Sequence, residues 1–133
     1  MKNHAVGSFD VQLQALDVYN KDVGASLARM SIDKQFHGDL DALSKGEMLS
    51  AMGSVKGSAG YVAIERVTGT LHGRSGSFVL QHNATMTRGE PYLNIVVVPD
   101  SGSGELAGLS GTMNIIIADG KHSYEFDYAL GDA

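Results

Sequence analysis

The segment GTMNIIIADGKHSYEFDYAL, residues 111–130, decides the fold. Asp119-Gly120 is a preferred two-residue type I′ hairpin turn, because both central positions need φ > 0 and Asp and Gly adopt it at low cost. Such a turn sets Ala118 opposite Lys121, and hence Ile115 opposite Tyr124, Met113 opposite Phe126 and Gly111 opposite Tyr128. One face of the hairpin is then wholly apolar and aromatic, while the other pairs Asn114 with Glu125 and Thr112 with Asp127. Tyr128 over Gly111 resembles the aromatic covering of a strand glycine. A dry face and a wet face on one hairpin point to an antiparallel sheet around a core.

The rest of the chain has the same character. Seventeen glycines against two prolines, with Val, Ile, Thr, Phe and Tyr in short alternating runs, mark many strands joined by tight turns. Strands are expected at about 4–14, 27–37, 45–53, 59–72, 77–87, 92–99, 110–118 and 121–130. DVYNKDVGAS, residues 17–26, reads as a loop, and DALSKGE, residues 41–47, could hold a helical turn. Eight antiparallel strands with one apolar face each must close or stack, since an open sheet leaves unpaired edges and an uncovered apolar side. The fold class is therefore all-β, an eight-stranded antiparallel closed meander barrel forming one domain over residues 1–133, with a β-sandwich as the alternative.

Within ERVTGTLHGRSGSFVLQH, residues 65–82, a four-residue GRSG loop would set His72 opposite Ser77, Leu71 opposite Phe78, Gly69 opposite Leu80 and Val67 opposite His82. Glu65 and His82 then lie on the inner, apolar face, Arg66 and Gln81 point outward, and Arg74 sits at the turn tip. Other polar residues fall in phase with the core: Lys34 between Ile32 and Phe36, and Asn94 between Tyr92 and Val96. Glu65, His82 and Asn94 come from three successive strands, so they can converge on one another or on a bound molecule. Three readings stay open. The first is a satisfied buried network, with a Lys34–Glu65 ion pair and a His82–Asn94 hydrogen bond. The second is a ligand site that adds the aromatic hydroxyls of Tyr124 and Tyr128. The third is acid–base catalysis, with Glu65 and His82 as the weak catalytic candidates.

Strand six, YLNIVVVP at residues 92–99, is apolar on both faces. If its inner set is Tyr92, Asn94 and Val96, then Val79, Ile95, Val97 and Ile116 form an outward patch on strands five to seven. Such a patch predicts an interface in a homo-oligomer, a dimer first, although scattered outward valines also satisfy β-propensity alone.

A net charge of −5 leaves no basic stripe to neutralise phosphates, which argues against nucleic acid and anionic membrane surfaces as partners. With no cysteine, thiolate nucleophiles, disulfides and cysteine-ligated metals are excluded together. The N-terminal MKNHAVGSFDVQL has no apolar signal core and no stretch is long enough to span a membrane, so a soluble, untargeted, cytoplasmic protein is expected. Asn83-Ala84-Thr85 matches a glycosylation sequon and reads as a chance match inside a strand. The five histidines show neither HExxH nor HxH spacing, so no metal site is read. GSGELAGLSG, residues 102–111, has the wrong glycine spacing for a dinucleotide loop and leads into a strand where a helix is needed, so no cofactor is expected. Ser75 lacks the GxSxG elbow of a serine hydrolase.

Three stretches together, ERVTGTLHGRSGSFVLQH, VVPDSGSGELAGLSGTM and the earlier FHGDL, resemble the small bacterial proteins of an uncharacterised domain-of-unknown-function family, number 3224, over nearly the whole chain. The resemblance implies an eight-stranded antiparallel barrel similar to plant allene oxide cyclase, oligomeric and with no established activity. The glycine pattern of GSGELAGLSG also resembles the turn before a late strand in dirigent-like barrels. Allene oxide cyclases steer a reactive fatty-acid epoxide in an apolar barrel with a few polar groups, a Glu and an Asn among them. No local motif maps these onto Glu65 and Asn94, so no catalytic role is carried over.

The sequence thus predicts a barrel of unknown function that binds a small apolar or amphiphilic molecule inside. The alternatives are an isomerase or cyclase using the inward Glu65 and His82, or an oligomeric barrel whose core is simply filled. Seven aromatic side chains, Phe9, Phe36, Phe78, Phe126, Tyr92, Tyr124 and Tyr128, are available to fill it.

Overall fold

In a computed structural model the chain is described over residues 2–131. It forms strands β1 (Asn3–Leu16), β2 (Ser26–Gly38), β3 (Leu40–Met52), β4 (Ala59–Leu71), β5 (Arg74–Thr87), β6 (Glu90–Val97), β7 (Ser103–Gly104), β8 (Leu109–Ala118) and β9 (Lys121–Leu130). Each long strand pairs antiparallel with its neighbour in sequence. β1 closes the circle against β9, with Asn3 opposite Tyr128 and Ala5 opposite Phe126. The result is a closed eight-stranded meander barrel, with the two-residue β7 lying outside it against Gly76 and Ser77 of β5.

The β8–β9 hairpin has the expected register, with Ala118 opposite Lys121 and Gly111 opposite Tyr128. Its turn residues Asp119 and Gly120 both have positive φ, 53° and 73°, as a type I′ turn requires. His72-Gly73 and Arg88-Gly89 repeat this pattern, with φ of 46° and 80° and of 49° and 91°. The turn at His72-Gly73 corrects the register expected for β4 and β5. In place of a four-residue GRSG loop, Leu71 faces Arg74, Val67 faces Phe78, Glu65 faces Leu80 and Ala63 faces His82. The displacement is by an even number of residues, so every side chain keeps its face.

Two further expectations are corrected. Residues 41–47 hold no helical turn; β3 begins at Leu40, directly after a tight corner at Gly38 and Asp39. Strand six has the opposite phase, because its pairing sets Val97 against Leu80 and Ile95 against His82 and so gives them the inner face of β5. Ile95 and Val97 are core residues, 1% and 6% exposed, whereas Asn94 and Tyr92 point outward. Of the four residues expected to form an outward patch, Val79 and Ile116 remain outside, and they do not make a continuous surface with the buried pair.

The barrel's two ends differ. At the end carrying the β2–β3 and β4–β5 turns, Leu40, Leu71, Phe78, Leu109, Phe126 and Tyr128 are buried. The β6–β8 connection crosses this end and drops Leu106 into the core, 1% exposed. At the opposite end, inward-facing Leu13, Met86, Leu93 and Ile117 are 47%, 43%, 37% and 68% exposed. The wall is also least continuous there. Among the described residues β6 and β8 share two register pairs, Ile95 with Met113 and Val96 with Thr112, and above these the two strands have partners only on their far sides.

Candidate functional site

Four consecutive strands each contribute one polar side chain to the barrel's waist. Lys34 on β2, Ser44 on β3, Glu65 on β4 and His82 on β5 are all buried, and Glu65 is fully covered. The pairings explain the convergence: Lys34 lies opposite Ser44, and Gly46, two residues further along β3, lies opposite Glu65. Gly46 has no room for a side chain, since a Cβ there would lie 2.6 Å from the Glu65 Cα. This close approach of β3 and β4 brings the Ser44 hydroxyl to the Glu65 carboxylate.

Glu65 is the centre of the network. Its Oε2 accepts from Lys34 Nζ at 2.8 Å and from His82 Nε2 at 2.5 Å, and its Oε1 accepts from the Ser44 hydroxyl at 2.5 Å. The ammonium of Lys34 also stands over the rings of Phe9 and Phe36, 5.2 and 5.7 Å from their centroids. Burial alone would raise the Glu65 pKa. The His82 hydrogen bond and the charge of Lys34 outweigh burial and hold it at about 2. Glu65 is therefore a fixed anion, saturated by its own protein, and a poor proton donor or base at neutral pH.

Among the described residues the polar network has one outlet. His82 Nδ1 faces the hydroxyl of Tyr61 at 3.5 Å, with the two rings 6.1 Å apart. Tyr61 projects inward from β4, half-buried, and its pKa is raised by burial and then by the Glu65 charge, which keeps the phenol protonated. Tyr61 also lines a cavity of about 400 Å³ at the open end, with Met48, Ala59, Met86, Leu93 and Ile117 around it. The volume lies within the range of small-molecule sites and the lining is overwhelmingly apolar.

Of the residues singled out in the sequence, Lys34, Glu65 and His82 do meet, with the ion pair formed as expected. Asn94 is outside the barrel, and His82 bonds to Glu65 and Tyr61. Tyr124 and Tyr128 belong to the closed end, away from the cavity. The Tyr124 hydroxyl accepts from the Leu40 amide at 2.9 Å and donates to the His37 carbonyl at 2.8 Å, while that of Tyr128 bonds His72 Nδ1. Ser44 and Tyr61 were missed. Both are in phase with the inner set, Ser44 with Leu40 and Ala42, Tyr61 with Ala63 and Glu65, so alternation carried the signal. Among the described residues no cluster of three or more His, Asp or Glu side chains could hold a metal ion.

Comparison with known proteins agrees with the architecture. A family model described as "Protein of unknown function (DUF3224)" matches residues 5–128. A crystal structure of a protein with unknown function from the DUF3224 family of Shewanella oneidensis MR-1 is 54% identical and superposes with a TM-score of 0.97, covering 100% of each chain. No curated protein matches the sequence. An aligned barrel with this family's pattern along almost its whole length leaves one assignment, and the chain belongs to the DUF3224 family of proteins of unknown function.

Proposed function

We propose that the protein binds a small apolar or amphiphilic molecule in the open end of its barrel. The observation that supports this reading is the cavity of about 400 Å³ lined by inward-facing Met48, Tyr61, Met86, Leu93 and Ile117. Large apolar side chains that point into a barrel and stay partly wet gain free energy when a ligand covers them. Catalysis through Glu65 is a poorer fit, since that carboxylate is buried, ionised and fully bonded. N-phenyl-1-naphthylamine, a neutral dye that brightens in apolar sites, tests the proposal. Binding at micromolar concentration is expected, with at least a tenfold loss in Ala59→Trp, which places an indole in the cavity. A dye that ignores the protein, or binds the variant equally well, overturns it.

A homo-oligomer is a second proposal, moved to a different face. Leu27, Leu49, Val62 and Ile64 on the outside of β2–β4 are 43–53% exposed and form the outward apolar surface that β5–β8 lacks. Arg29 and Glu47 sit beside them, their charges 2.6 Å apart, so the surface carries both signs and suits a two-fold contact with a second copy. Sedimentation velocity decides: a dimer that Val62→Asp converts to monomer is expected, and a wild-type monomer at 50 µM or about that concentration removes the proposal.

A further inference from the structure

The ligand's polar end can be assigned from the proton positions at the cavity floor, an inference that rests on the cavity being a binding site. Glu65 is ionised and its charge is already balanced by Lys34 at 2.8 Å. A second proton on His82 would leave a net positive charge in an interior where Glu65 is 0% and His82 3% exposed, a costly arrangement. In the neutral imidazole the single proton must sit on Nε2, because Nε2 faces the Glu65 carboxylate at 2.5 Å and two acceptors cannot share that contact without it. His82 Nδ1 is then an acceptor, and the Tyr61 hydroxyl hydrogen is directed to it. With its hydrogen so directed, the hydroxyl of Tyr61, a lining residue of the cavity, has only oxygen lone pairs left to offer a ligand.

We infer that Tyr61 is a hydrogen-bond acceptor for the ligand's head, and that the site selects amphiphiles with a neutral donor head, an alcohol, over carboxylates and ethers. A carboxylate brings only acceptors, and it approaches the Glu65 anion through Tyr61 and His82 with no free cation to receive it. Lys34, the one cation in the network, is committed to Glu65 and to the faces of Phe9 and Phe36. Ser50, opposite Tyr61 on β3, is another hydroxyl in the lining, but its hydrogen can rotate either way and imposes no preference. An orienting chain of Glu65, His82 and Tyr61 is what turns an ambivalent phenol into a one-way acceptor.

Competition against bound N-phenyl-1-naphthylamine tests this with three ligands of similar length: decan-1-ol, 1-methoxydecane and decanoate at pH 7.5. Decan-1-ol is expected to displace the dye at least tenfold more tightly than either of the others. In Tyr61→Phe, with folding checked by circular dichroism, the ratio between alcohol and ether should collapse to within a factor of about two, whatever the absolute affinities. In Ser50→Ala the ratio should persist. Equal displacement by all three in the wild type overturns the assignment of the head while leaving the cavity proposal intact, as does a preference that survives Tyr61→Phe. Failure of the dye itself to bind removes both.

Discussion

The two ends of this barrel use the same strands to opposite effect. At the closed end, aromatic and leucine side chains from β3, β4, β5, β8 and β9 meet, Leu106 is brought in from a connection, and the tyrosine hydroxyls are spent on the protein's own backbone and on His72. At the open end the inward positions are still apolar, yet Leu13, Met86, Leu93 and Ile117 are between 37% and 68% exposed. An eight-stranded barrel has an interior its own side chains can just fill. Here filling stops at the waist, and the Lys34–Ser44–Glu65–His82 network is the boundary. Stability is concentrated below that layer and available surface above it.

The contrast predicts unequal mutational costs. Phe126→Ala, beneath the network and stacked between Phe78 and Tyr128, should lower the unfolding free energy by about 3–5 kcal/mol in urea titrations. A cost near that of a surface substitution would mean the closed end is not the core described. Glu65→Gln, at the boundary, leaves Lys34 buried without its counter-charge and should cost about 3 kcal/mol at pH 7, with Lys34→Met in the same chain recovering part of it.

Acid sharpens the same test. The Glu65 pKa is about 2 in the fold against an ordinary 4.5, so the folded value is the lower one. Its stabilisation, on the order of 3 kcal/mol, is therefore fully present above about pH 4.5 and is lost as pH falls through about 2. Unfolding midpoints measured across that window should fall in the wild type and fall less in Glu65→Gln; parallel curves would show that Glu65 is not the titrating group. Gly46→Ala is expected to cost about 1–3 kcal/mol, because the added methyl must push β3 from β4 beside Glu65. Ile117→Ala, at the mouth, should change stability by roughly 0.5 kcal/mol or less while weakening dye binding, which is the signature of a side chain kept for something other than folding.

How much of this could be read from the chain depended on how strongly each stretch constrained its own register. Asp119-Gly120 admits essentially one turn, so every pair of β8 and β9 followed from it. At His72-Gly73 the first residue is a histidine with φ of 46°, a conformation uncommon outside glycine even though histidine adopts it more readily than most, and nothing local favoured that turn over the glycine-flanked GRSG. The error was harmless to the site because register slips by even steps preserve faces, and Glu65 and His82 stayed inside. Strand six was undecidable by alternation, since Leu93, Ile95 and Val97 on one face and Tyr92, Val96 and Val98 on the other are equally apolar; pairing to His82 settles it. Tyr61 escaped notice because its importance lies in which ring nitrogen it meets, a fact of three dimensions.

The sparse pairing of β6 with β8 has a consequence for motion. Above Ile95 and Met113 the amides facing across that gap have no ladder partner, so they should exchange with solvent faster than those of the fully paired β3–β4 and β4–β5 ladders. A closed cylinder normally has to break several hydrogen bonds at once to breathe. This one can part along a line already half unfastened, beside its cavity, leaving the other walls at rest.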